Sequence, residues 1–154
     1  MKAKIILALL IICGIVSCDE TGTENVPVEE TIMLYDKPSH IIQKHIQGRW
    51  KHTVSYGGAV GISHHENSFI EFNDDICIID NDDSNQISPF TWKKMQFPAF
   101  PNYGDKYNNI SEIYVLNGIE QNSDFWWWFD SIGNDTLSIH VYNTPLHMVL
   151  VRVK

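Results

Sequence analysis

The sequence predicts an all-β domain, on the order of eight antiparallel strands joined by short hairpins and closed into an up-and-down barrel, with one short helix ahead of it. Three observations predict this. From Trp50 onward, apolar and polar residues alternate with a period of two. The runs are separated by turn clusters such as Asn73-Asp74-Asp75, Gly133-Asn134 and Asn143-Thr144-Pro145. No helical stretch long enough to cross between parallel strands interrupts them, so a meander is expected, and closure hides its edges. A two-sheet β-sandwich is the competing architecture.

At the N-terminus, Met1-Lys2-Ala3-Lys4 is a basic start, and Ile5 to Val16 is an apolar run broken only by Gly14. Such a run is short for a membrane span and suits the core of a signal peptide. It ends in Ile15-Val16-Ser17-Cys18, which resembles a bacterial lipobox. The expectation is a signal peptide over residues 1–17, with Cys18 as the acylated first residue of the mature protein. Acyl chains such as palmitate contribute roughly 0.8 kcal/mol per buried methylene, so several on one cysteine anchor firmly. Residues 18–37 begin polar and acidic and read as a lipid-anchored flexible tether. The expected location is the cell envelope, on the outer membrane, facing either periplasm or exterior. Within the tether, Thr31 to Tyr35 is apolar enough to touch the domain.

The folded domain is expected over residues 38–154. Lys37-Pro38-Ser39 opens a short helix, with Ile42 and Ile46 on one face and Gly48 as the stop. Trp50, His52, Val54 and Tyr56 then share one face of the first strand. Further strands are predicted at 68–73, 76–81, 88–95, 110–117, 124–130, 135–142 and 146–153. The proline- and aromatic-rich stretch 96–109 is long for a hairpin loop and is expected either to cover a site or to be disordered. With the flexible Gly57–Gly61 loop, it should frame the mouth of the barrel.

Composition excludes several functions. The chain has 154 residues and a formal net charge of -8, and the predicted signal peptide holds two lysines and no acid. An acidic body repels nucleic-acid phosphates, so no nucleic-acid partner is expected. Once the signal peptide leaves with Cys13 and Cys18 is acylated, only Cys77 remains, and no intramolecular disulfide can form. Cys77 lies in Ile76-Cys77-Ile78-Ile79 and reads as a small buried hydrophobe.

Gly48-x-Trp50, placed after a short helix and before a meander whose last strand carries Arg152, resembles the lipocalin (calycin) pattern. Together with the lipobox it is similar to lipocalin-like lipoproteins of the Bacteroidetes type. The resemblance implies a barrel sealed at one end by Trp50, with Arg152 packed across the indole. It also implies a small apolar ligand inside.

The candidate functional residues are mostly aromatic. In Phe125-Trp126-Trp127-Trp128-Phe129, alternate side chains face opposite ways. With Phe125 and Trp127 inward, Trp126 and Trp128 lie outside, either covered by another segment or exposed as a surface for an envelope protein or glycan. Trp92, Tyr114, Phe125 and Trp127 are therefore the expected ligand lining, and Trp126 and Trp128 the possible partner surface. His64-His65-Glu66 has metal-capable groups, but adjacent histidines on a strand point apart and no further ligand stands at fixed spacing, so no metal or other cofactor is expected. Asp80-Asn81-Asp82-Asp83-Ser84 begins like a calcium loop and lacks its glycine and closing glutamate. No nucleophile–base motif appears, so binding without catalysis is the expectation.

Overall fold

The computed structural model describes residues 30–58, 61–82, 84–97, 105–107, 109–118, 126–142 and 144–154. Cys18 and Phe125 lie outside these residues. The domain is all-β: the described residues hold one α-helix, α1 (Ser39–Ile46), and eleven strands in one antiparallel sheet. The strands are β1 (Ile32–Met33), β2 (Gly48–Tyr56), β3 (Ile62–His64), β4 (Phe69–Asn73), β5 (Ile76–Asn81), β6 (Ser84–Pro89), β7 (Thr91–Gln96), β8 (Glu112–Asn117), β9 (Trp127–Gly133), β10 (Thr136–Val141) and β11 (His147–Arg152). Their order across the sheet is β6-β5-β4-β2-β11-β10-β9-β8-β7, with β1 on β9 and β3 on β2.

The expected eight-stranded closed barrel is corrected in both respects. The sheet is not closed: β6 and β7 are its two edges. Residues 88–95, read as one strand, break at Phe90. The part before it pairs with β5 and the part after it with β8. Proline cannot donate a ladder hydrogen bond, so Pro89 is a natural place for the pairing to stop. The two edges are thus joined end to end by the chain at one corner. The other added strands are β1 and β3, too short to show a period.

The sheet still curls strongly. Phe72 on β4 meets Phe129 on β9 at a ring-centroid distance of 5.7 Å, although three strands separate them in the sheet. The concave face holds the main core, with Trp50, Phe72, Leu116, Trp127, Phe129 and Leu150 among its buried members. Helix α1 stops one end of the concavity with Ile42 and Ile46. Pro38 is the N-cap, its carbonyl accepting from the amides of Ile41 and Ile42.

At that end the helix carbonyls are met by side chains from the first and last long strands. The Trp50 Nε1–H donates to the Ile46 carbonyl (2.7 Å), and Arg152 donates to the carbonyls of His45 (3.1 Å) and Gln47 (3.0 Å). The Arg152 guanidinium lies 4.1 Å from the Trp50 ring centre. A cation here satisfies orphan carbonyls and the negative end of the helix dipole together. Gly48 has φ +106°, and a Cβ on it would stand 3.3 Å from Arg152 Nη1. Only glycine takes that backbone at no cost beside the guanidinium.

Two β-bulges redirect side chains. Leu150 pairs with His52 and Val149 with Val54, leaving Thr53 extra. Beyond it the inward residue is Ser55, not Val54 or Tyr56, which corrects the alternation predicted for this strand. On β9, Ser131 pairs with Ser138 and Phe129 with Ile139, leaving Asp130 extra. An extra residue bends a strand and re-aims the side chains beyond it.

The outer face of β8, β9 and β10 carries a second core. Trp128 is 0% exposed there, with Phe97 at 5.5 Å, Tyr107 at 5.7 Å and the stacked ring of His140 at 4.3 Å. Tyr35 packs edge-on to Tyr107 at 5.0 Å. Of the two alternatives for Trp128, cover and exposure, the structure shows cover: Phe97 and Tyr107, at the ends of the long loop, pack on it. Trp126 is half-buried against Tyr142 (5.5 Å) with Lys93 4.8 Å from its ring, so it is not an open apolar patch either.

Candidate functional site

The Thr53 bulge divides the partner of β2 in two. Above it β3 pairs with Val54 to Tyr56, and below it β4 pairs with Gly48 to Lys51. Between them, residues 65–68 arch away from the sheet. The arch is held at both ends, by the His65 amide to the Thr53 carbonyl (2.9 Å) and the His52 amide to the Ser68 carbonyl (2.8 Å). It leaves a cleft of about 440 Å³ that opens into the concave face. That volume lies in the range of small-ligand pockets. Its floor is apolar: Ile70, Ile79, Trp127 and Met148. Its rim is polar, with His52, His65, Ser68 and Asn81 on one side and Glu66 and Asp82 at the opening.

The rim is an ordered chain of hydrogen-bonding groups. The His52 and His65 rings stack at 4.0 Å. Ser55 Oγ lies 2.8 Å from His52 Nε2 and 3.2 Å from His65 Nε2. Ser68 Oγ lies 3.4 Å from His52 Nδ1 and donates to Asn81 Oδ1 at 2.6 Å. With the His52 proton on Nδ1, every member has a consistent role. His65 donates to Ser55, Ser55 to His52, His52 to Ser68 and Ser68 to Asn81. Such a chain is polarised along its length.

This arrangement requires neutral histidine. Burial pushes the His52 imidazole down to about 4; His65 adds to the effect and the Val54 carbonyl opposes it. At neutral pH the ring offers one donor and one acceptor and no charge.

The predicted lining residues are divided. Trp127 is in the floor of the cleft. Trp92 and Tyr114 pack against the same core and do not line it. The Trp92 Nε1–H donates to Gln43 Oε1 (3.1 Å), which fixes it against α1. The expected mouth, at the Gly57–Gly61 loop and residues 96–109, lies partly outside the described residues, and none of its described residues lines the cleft. Gly57, with φ +107°, is pressed against Pro145, whose carbonyl oxygen a Cβ would meet at 2.0 Å. Ser55, Ser68 and Met148 carry no signal in the sequence that marks them as site residues. Besides Trp127, the sequence singled out the His64-His65-Glu66 triplet and the run 80–84 and placed His52 on the Trp50 face, and nothing local says that they meet. Among the described residues no group of three or more His, Cys, Asp or Glu side chains could hold a metal ion.

A second polar cluster lies on the outer face. Tyr56, His147, His140 and Trp128 stand opposite one another on four adjacent strands. Tyr56 and His147 meet edge-on at 4.3 Å, and His147 and His140 stack at 4.2 Å. Ser138 Oγ is hydrogen-bonded to His147 Nε2. The bulged Asp130 accepts from Lys106 Nζ (2.9 and 3.0 Å) and from the Tyr107 hydroxyl (2.6 Å), tying the covering turn to the sheet. This cluster is filled by its own side chains and reads as a fastening.

Comparison with known proteins gives no matching family model, no matching curated protein and no matching solved structure.

Proposed function

We propose that this is a lipid-anchored binding protein of the outer membrane that holds a small, largely apolar ligand in the cleft between His52, His65 and Trp127. The observation that carries the reading is the cleft itself: about 440 Å³ at the open side of a curled sheet, apolar in its floor and hydrogen-bonding at its rim. Such a site buries a hydrocarbon body and fixes its polar end. The corner of Gly48, Trp50 and Arg152 supports a lipocalin-like relation, in which a strand-built concavity carries the ligand. The lipobox sequence ending in Cys18 supports the membrane half.

Native mass spectrometry of the acylated protein, isolated from cells that process it, tests both halves. A co-purified small molecule should be present in the native chain and missing from Ser68→Trp, which fills the cleft. No bound molecule in either would overturn the ligand half. A Cys18 peptide without acyl chains would overturn the anchor.

A further inference from the structure

We infer that the cleft selects amphiphiles with an uncharged hydroxyl- or amide-bearing head and rejects carboxylates, so its ligand class is closer to a monoacylglycerol than to a fatty acid. This rests on the ligand-binding reading above and goes further, to the chemistry of the ligand's polar end.

The rim decides it. No lysine or arginine lines the cleft among the described residues. Its polar groups are His52, His64, His65, Ser68 and the Asn67 and Asn81 amides, all neutral donors and acceptors when the imidazoles carry no charge. Among the described residues that line it, the carboxylates are those of Glu66 and Asp82. Burying a carboxylate without a cation costs several kcal/mol, and two like charges at the opening add to that cost. An uncharged hydroxyl gives up far less on entering and finds partners of both kinds. The Ser68–Asn81 pair offers an amide NH2, and the histidine–serine chain has lone pairs to receive a donor. The apolar chain would lie on Ile70, Ile79, Trp127 and Met148.

Calorimetry with the acylated full chain in lipid nanodiscs tests this at neutral pH, using 1-octanoylglycerol and octanoate as probes. Ser68→Trp serves as the blocked control that removes heat from partitioning into lipid. The expected result is control-sensitive binding of octanoylglycerol and at least tenfold weaker binding of octanoate. Asp82→Lys, an exposed change outside the core, should shift the ratio several-fold toward octanoate. Equal affinities, or a ratio unmoved by Asp82→Lys, would overturn the head-group inference and leave the ligand-binding reading standing. No control-sensitive heat from either probe would overturn both.

Discussion

At Trp50 three interactions meet: burial at 0% exposure, a hydrogen bond to the end of α1, and a guanidinium across the ring. Removing a fully buried aromatic side chain leaves a cavity that a packed core cannot fill. Trp50→Ala should therefore cost about 3–5 kcal/mol in urea unfolding; an unchanged midpoint would remove the assignment. Arg152→Lys keeps the charge and loses the planar fork that reaches two carbonyls. It should cost roughly 1–2 kcal/mol in the same assay. Cys77 is the opposite kind of residue. It is 0% exposed and burial pushes its thiol up to about 12. The thiolate is the reactive form, so Cys77 should resist a disulfide reagent in native protein and react fully in denaturant. Rapid labelling of the native state would contradict this placement.

Among the elements, β1 has a role larger than its two residues. Among the described residues β8 pairs with β9 only at Leu116–Trp127, and β1 takes the other end of β9, opposite Ser131 and Ile132. The next residue, Leu34, is 0% exposed in the main core, and its amide donates to the Asp130 carbonyl (2.8 Å). The folded body therefore starts within the stretch 18–37 that reads as tether, ahead of residue 38. Leu34→Ala should destabilise by about 2–5 kcal/mol, as for any buried leucine. A loss of a few tenths, as expected of a true tether residue, would refute it. The sequence hinted at this only through the apolar character of Thr31 to Tyr35. A two-residue strand has no period to detect, and its pairing depends on where β8 leaves β9.

For the whole molecule, the buried imidazoles set an acid limit. His52 is held down to about 4 and His140 to about 3, burial being the main cause in each, and His147 is also lowered. The groups around His140 and His147 pull both ways: Asp130 raises both, Lys106 lowers both, and His147 itself lowers His140. Folded-state values lie below the unfolded value near 6.5, so the unfolded chain binds more protons in between. The stability these residues contribute is complete above about pH 6.5. It is lost as pH falls toward 4 and 3, at roughly 1.4 kcal/mol per pH unit for each histidine. Urea midpoints should fall between pH 7 and 5, and less steeply in His140→Gln. A flat profile would mean that these rings are solvated.

What the sequence determined by itself is whatever short-range periodicity and chemistry control. The all-β class, the short helix ending before Gly48, the turns and the central extent of most strands are all set by local patterns. So is the segregation of Trp127 from Trp128, because adjacent residues on a strand face opposite ways. What the tertiary structure decided depends on strands far apart in the chain. The bulges at Thr53 and Asp130 are visible only once β11 and β10 lie alongside, and each re-aims the residues beyond it. The corner at Phe90 leaves the sheet open where a run of alternating residues predicted one continuous strand. The cleft exists because β3 and β4 share one neighbour and arch apart at the bulge. That brings His52 on β2 and Asn81 on β5 together with His65 and Ser68 of the arch, a meeting that long-range register alone specifies.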